Sequence, residues 1–287
     1  MILVADSGSS KTDWISSLPV GGKFEFATNG MNPFFLSEKE IVKILLNNAE
    51  VQKISLDVRE IYFFGAGCSN PDRREAVSNA LSQVFKNAFV NVESDLLGSA
   101  YATCGNNQGM SCILGTGSNI TFYDGHKVID GMHGLGYILG DEAAGTYFGK
   151  KLITSYLYGT MPAELQKNFN ETYHINKEIV IQNLYQKPSP NFYLASFSKF
   201  MSANKEHTFI IDLLQRGFKE FIKDIQSYPD HKKYNCHFVG SIAYTFQDIL
   251  RTVCNEHSIT IGKILKKPID ELFNFIILRE NRIAQES

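Results

Sequence analysis

The chain has 287 residues, 44% hydrophobic and 20% charged, with a formal net charge of -2. That length can bury a large core and favours two domains over one, and the near-neutral balance excludes the broad basic footprint of a nucleic-acid or anionic-membrane binder. The opening apolar run Met1-Ile2-Leu3-Val4-Ala5 lacks a basic flank and is far too short for a secretory signal, and no later window reaches membrane-span length, so a cytoplasmic protein is expected.

Met1 to Ala5 predicts a strand that delivers Asp6 into the small polar turn Ser7-Gly8-Ser9-Ser10-Lys11. Residues 12–16 and 23–26 read as two more extended segments, the second after the turn Pro19-Val20-Gly21-Gly22, so the chain opens as a β-meander. The first turn lacks both the glycine spacing and the following helix of a GxxxxGK[ST] phosphate loop. Its backbone N–H groups around Gly8, the hydroxyls of Ser9, Ser10 and Thr12 and the ammonium of Lys11 still suit an anion, with Asp6 suited to a metal ion beside it. An ordinary hairpin turn accounts for the same residues.

Asn29-Gly30-Met31-Asn32-Pro33 is a polar loop suited to a hydroxylated molecule, or a plain turn. Ser37, with Glu40 as its capping-box partner, predicts a helix over 37–48. A buried strand ending in glycine is expected over 59–65, a helix over 71–86 and a strand over 89–94. Asp95 then heads a helix over 96–103, at the strand end where ligands gather in open α/β sheets; the same position suits an N-cap. A meander followed by strand and helix alternation predicts a mixed sheet covered by helices.

The second half repeats the pattern. Strands over 110–114, 120–123 and 127–130 are joined by the turns Gly115-Thr116-Gly117-Ser118-Asn119 and Asp124-Gly125. Two copies of one unit, over a hundred residues apart, imply duplicated domains, and the glycines and hydroxyls of the first of these turns suit a second anion site. Gly131-Met132-His133-Gly134-Leu135-Gly136 carries more glycine than a connector needs, which points to backbone packed on a ligand; Gly140-Asp141-Glu142 then opens a helix to about 157. A mostly helical stretch follows to about 228, broken at Pro188-Ser189-Pro190. A strand over 237–239 leads into Gly240-Ser241-Ile242-Ala243, whose small residues suit adenine lying on the backbone or a tight turn. A last strand over 259–261 and a closing helix over 269–285 complete the chain. Cys68, Cys104, Cys112, Cys236 and Cys254 are odd in number and contain no CxxC pair, so buried thiols are expected rather than structural zinc or an iron–sulfur cluster. His231 and His237, the closest pair of the scattered histidines, match no common metal spacing.

As a set and in this order, Asp6 to Thr12, Asp95, Gly115 to Asn119, Gly134 to Gly145 and Gly240 to Ala243 resemble the N-acetylglucosamine kinase and BadF/BadG/BcrA/BcrD ATPase family, within the sugar kinase, hsp70 and actin superfamily. The resemblance covers essentially the whole chain. It implies an α/β chain with two ribonuclease H-like domains of the actin-like ATPase fold facing across a nucleotide cleft: 1–109, and 110–268 with a helical insertion, with the closing helix 269–287 packing back on the first. It implies ATP and Mg2+ as cofactors. Asp6, Gly8, Ser9, Ser10, Lys11, Thr12, Thr116 and Gly117 would hold the phosphates, Asp6 also the metal, and Gly240 and Ser241 would border the adenosine. Asn32, Asn119, Gly134 and Asp141 would contact an amino sugar, and Asp95 would face its attacking hydroxyl. The family's first turn often reads DGGGTKT, so Ser7, Ser9 and Ser10 replace small positions; its activase members carry cluster-binding cysteines that have no counterpart here. The expected activity is phosphorylation of the 6-hydroxyl of N-acetylglucosamine, by a chain that forms a homodimer in keeping with the family. The alternatives are a kinase for N-acetylmuramic acid or glucosamine, or a non-catalytic ATP- and sugar-binding regulator. The lactyl carboxylate of N-acetylmuramic acid calls for a nearby cation, and the sequence singles out none.

Overall fold

Buried residues dominate Ile2–Ser7 and Lys11–Ser17, and these segments form β1 and β2 of a sheet completed by β3 (Lys23–Asn29), β4 (Glu60–Gly65) and β5 (Phe89–Ser94). The positions come from a computed structural model that describes residues 1–18, 21–129 and 133–286. The expected turn at Pro19-Val20, and the parts of the repeat that fall on Asp130, Gly131 and Met132, lie outside the described residues, as does Ser287. The chain divides into unit 1 (Met1–Asn107, Tyr123–Val128, Lys267–Ser287) and unit 2 (Gln108–Phe122, Ile129–Lys266).

In unit 1 the strand order is β3-β2-β1-β4-β5. β1 runs antiparallel to β2 and parallel to β4, and β4 runs parallel to β5, so three parallel strands end along one edge at Ser7, Gly65 and Ser94. Trp14 anchors the core beneath them. It is fully buried, stacks on Phe26 at 5.7 Å, and satisfies its indole N–H on the Thr28 hydroxyl at 3.1 Å. The helix Glu38–Leu46 carries the expected capping box, but it ends before Asn48, whose side chain accepts from Glu50 and Val51 N–H and starts a further helix, Ala49–Ile54. Pro71–Val84 and the closing helix Ile269–Glu286 also belong to this unit, and the closing helix packs on Asp95–Cys104, with Phe275 stacked on Tyr101 at 4.5 Å.

Unit 2 carries β6 (Gly109–Leu114), β7 (Ser118–Tyr123, whose last residue groups with unit 1), β8 (Val128–Ile129), β9 (Cys236–Val239) and β10 (Ile261–Leu265). Its order, β10-β9-β6-β7-β8, is that of the first sheet once β6 is matched to β1, so the internal repeat is structural. The last strand begins two residues later than expected. Ile259 is buried ahead of it, and the ladder is irregular between Ile261 and Ile264, where Gly262 passes the His237 ring too closely to carry a side chain. That histidine accepts from Lys263 N–H at 2.9 Å, so it is a satisfied structural residue. Five helices between Ala163–Tyr173 and Thr208–Gln226 form the helical stretch and pack a largely aromatic core against the sheet. All five cysteines are buried.

Candidate functional site

The parallel edge of unit 1 gathers two carboxylates. Asp6 is the penultimate residue of β1 and Asp95 directly follows β5; with β4 between them, two strand spacings separate them by about 10 Å. The intervening strand ends at Gly65, and the chain continues through Ala66 and Gly67, where Gly67 lies against the Asn32 and Phe34 side chains. Asp95 is the first residue of its helix and Ser94 is the N-cap, its hydroxyl accepting from Leu97 N–H. The capping alternative for Asp95 is therefore overturned: a neighbouring serine fills that role. Burial pushes the Asp95 carboxyl up to about 6, against the pull of the Asp95 and Leu96 backbone amides. Burial, then the charges of Asp95 and Asp13, raise Asp6 to about 7, with Lys267 acting in the opposite direction.

The β1–β2 turn is a tight hairpin closed by Gly8 N–H to Lys11 C=O at 3.0 Å. Gly8 and Ser10 are exposed. Ser9 accepts from the Asn32 side-chain amide at 2.8 Å, which braces the hairpin, while Asn32 Oδ1 accepts from Phe34 N–H within its own loop. Gly30 lets that loop lie on the hairpin, since a side chain there would overlap the Gly8 and Ser9 backbone. The Thr12 hydroxyl is buried at 2.8 Å from Ser7 Oγ and within reach of the Asn29 carbonyl, which directs it into the fold.

Asp13 was not singled out by sequence, although it lies directly opposite Asp6 in the ladder. Its Oδ1 accepts from Lys11 Nζ at 2.6 Å and from Lys267 Nζ at 2.9 Å. Lys267 carried no sequence signal, because it lies 254 residues away.

In unit 2 the turn after β6 is held from behind. Gly145 N–H donates to Gly115 C=O at 2.9 Å and Thr146 N–H to Thr116 C=O at 3.0 Å. The expected helix start at Asp141 is corrected: the helix is Gly145–Leu157, and Asp141 and Ala143 both take left-handed backbone conformations ahead of it. A short helix, Gly136–Leu139, precedes them. Asp141 is buried, with Oδ1 accepting from Ser118 N–H and Oδ2 from the Thr146 hydroxyl, both at 3.1 Å. Gly134 abuts the Asn119 side chain, which brings those two predicted sugar contacts together. Gly240, at φ 124°, lies so close to the Leu114 carbonyl and Gly115 that a side chain cannot fit; the predicted adenosine turn thus adjoins the predicted phosphate turn. Ser241 is exposed beside it.

Comparison with known proteins gives this geometry its context. Neither protein-family models nor curated proteins yield a match. Among solved structures, the "putative N-acetylglucosamine kinase" of Porphyromonas gingivalis is similar at 34% identity, over 96% of this chain and 98% of that one, with a TM-score of 0.89. The chain belongs to the N-acetylglucosamine kinase family. The "putative N-acetylglucosamine kinase" of Chromobacterium violaceum matches at 16% identity over 96% of this chain and 98% of that one, with a TM-score of 0.70. The ethanolamine utilization protein of Carboxydothermus hydrogenoformans matches at 11% identity, over 94% and 86% of the two chains, with a TM-score of 0.57. These last two share the fold, a two-domain actin-like α/β fold. Among the described residues, no helix is long and apolar enough to cross a membrane.

Proposed function

We propose that this family member transfers the γ-phosphoryl group of ATP to the 6-hydroxyl of N-acetylglucosamine. The observation that carries the reading is Asp95: a carboxylate relieved of capping by Ser94, raised by burial to about 6, on the same sheet edge as Asp6. A general base works best with a pKa near the operating pH, and this one is ionised at neutrality yet basic enough to take a proton. The description of the Porphyromonas gingivalis protein, 34% identical, supports the same reaction class.

Asp6 suits magnesium by its chemistry, as an oxygen donor that burial and two neighbouring carboxylates leave short of positive charge. When bound, Mg·ATP supplies the phosphoryl group and the divalent charge that neutralises its oxygens. Within unit 1 the hairpin around Gly8, with the hydroxyls of Ser9 and Ser10, suits phosphate; within unit 2 the Thr116-Gly117 turn suits phosphate and the adjoining Gly240 and Ser241 suit adenosine. Lys11 and Lys267 share one Asp13 carboxylate oxygen, which sets two ammonium groups beside the hairpin. Asn32 in unit 1, and the adjacent Asn119 and Gly134 in unit 2, are the candidate sugar contacts of their respective units. Asp95 accepts the proton of the 6-hydroxyl as that oxygen bonds to the γ-phosphorus; the bond from phosphorus to the β-phosphate oxygen breaks and ADP leaves.

An ADP-release assay over a panel of amino sugars tests the proposal. N-acetylglucosamine is expected to stimulate release most, and a panel in which no sugar stimulates it rejects the kinase in favour of a regulator. One observation favours a second substrate. The Arg73 guanidinium lies 4.0 Å from the Phe34 ring and donates to the Gly67 carbonyl at 2.6 Å, and Gly67 in turn contacts Asn32. No carboxylate pairs with Arg73 among the described residues, so it is a cation available to the lactyl group of N-acetylmuramic acid; greater turnover of that sugar in the panel would identify it.

The base also sets a pH profile. Asp95 must be ionised to accept the proton, so kcat is expected to be flat above neutrality and to fall below about pH 6, approaching tenfold per unit. A rate that stays constant down to pH 4.5, measured with saturating substrates, would remove Asp95 from that role.

A further inference from the structure

Asp141 matches a sugar-contacting position of the family, yet its surroundings in unit 2 describe another task. Its carboxylate is buried, and its two oxygens are engaged by different segments: Oδ1 by Ser118 N–H, at the end of the 115–118 turn, and Oδ2 by the Thr146 hydroxyl, in the first turn of the helix Gly145–Leu157. Gly117 lies against the same carboxylate, where a Cβ would come within 2.9 Å of Oδ1 and 3.0 Å of Oδ2. The backbone of Asp141 has φ 62°, a conformation that a non-glycine residue holds only when its surroundings fix it. Two backbone bonds, Gly145 N–H to Gly115 C=O and Thr146 N–H to Thr116 C=O, run alongside. Turn and helix are therefore tied at three points, and the side-chain tie is the one that reaches the far end of the turn.

We propose that Asp141 is a positioning residue for nucleotide, which clamps the 115–118 turn to the head of the helix Gly145–Leu157 through Ser118 N–H and the Thr146 hydroxyl. The inference rests on the reading of that turn as a phosphate-binding element. A Ser118 N–H bonded to a carboxylate points away from any phosphate, so the amides left to meet one belong to Thr116 and Gly117, and the clamp fixes their direction. A loosened turn loses nucleotide affinity while the sugar contacts at Asn119 and Gly134 are untouched.

The test compares Thr146→Val, Thr146→Ser and Asp141→Asn with the unaltered protein. KM is measured separately for Mg·ATP and for N-acetylglucosamine, Mg·ADP affinity by calorimetry, and folding by melting temperature. Asn suits the left-handed conformation and keeps an acceptor for Ser118 N–H, so that variant retains the backbone. Thr146→Val is expected to weaken Mg·ADP binding and raise the Mg·ATP KM about tenfold, the loss expected of one hydrogen bond to a charged group, with the sugar KM within about twofold, and Asp141→Asn is expected to show the same nucleotide loss. Thr146→Ser, which keeps the hydroxyl, is expected to restore both nucleotide values. A rise in sugar KM with nucleotide binding unchanged would overturn the clamp and return Asp141 to the sugar. If the unaltered protein binds no Mg·ADP, the kinase reading itself fails and the clamp with it; if it binds normally and Thr146→Val is silent, the clamp alone fails.

Discussion

Asp95→Asn is expected to lower kcat by about 10²–10⁴-fold, the range typical of a lost general base, while Mg·ADP still binds with near-normal affinity. The amide keeps the shape of the side chain but cannot take the proton of the attacking hydroxyl. The same change is expected to stabilise the fold. The carboxyl pKa rises from 3.8 to about 6 because burial removes water from the charged form, so the folded state holds that proton more tightly than the unfolded state does. The sign follows directly: stability from this group is greatest at low pH, declines as pH rises from about 4 through about 6, and is constant above. At neutrality the ionised carboxylate costs about 3 kcal/mol at most, reduced by its partial exposure, and an amide removes that cost. An inactive variant with a raised melting temperature at pH 7.5, and little difference from the unaltered protein at pH 4, is the expected pair of results. Near-normal turnover would displace Asp95 from the reaction, and a lowered melting temperature would show that its charge serves the fold.

Alanine at Gly8 and at Gly115 is expected to separate ligand binding from folding. Neither glycine takes a left-handed conformation; an added Cβ meets only the Lys11 carbonyl at 3.7 Å in the first case and nothing within 4 Å in the second. Local structure therefore has no need of glycine at either position, and melting temperatures should stay within the equivalent of about 0.5 kcal/mol. A methyl group placed where backbone amides meet a phosphate oxygen would cost about 1–3 kcal/mol, as overpacking does in a core, which weakens Mg·ATP binding about tenfold or more. Gly240 is the contrast. Its positive φ and its contact with the Leu114 carbonyl make glycine a requirement of the fold, so alanine there should lower stability whatever is bound. Unchanged nucleotide affinity in both alanine variants would place the phosphates elsewhere.

Much of this architecture is legible in the sequence because both halves state the same pattern. A strand, a small polar turn and two more strands mark each unit, and the capping box at Ser37 and Glu40 marks its helix unambiguously. The strand Phe89–Ser94 and the position of Asp95 follow from alternation giving way to helical spacing. Other features depend on tertiary contacts that spacing does not encode. Asn48 starts a new helix because its side chain meets two amides, and β10 starts at Ile261 with Gly262 packed against the His237 ring. In the candidate site, both anion turns and both carboxylates of unit 1 are visible as residues, but their partners are not. Asp13 could have been placed opposite Asp6 by counting the hairpin register. Lys267 could not, since it reaches Asp13 only after the chain returns to unit 1. The surroundings of Thr12, Asn32 and Asp141 depend on where each polar atom finds its partner, and spacing alone does not show that each of these candidate ligands also hydrogen-bonds a neighbouring segment.

The phosphorylated product tests the central claim most directly. With N-acetylglucosamine and Mg·ATP, phosphorus NMR of the reaction mixture is expected to show a new phosphomonoester signal coupled to the protons on C6 of the sugar, appearing in step with ADP. Inorganic phosphate as the sole product, or ATP left intact with every amino sugar offered, would contradict it.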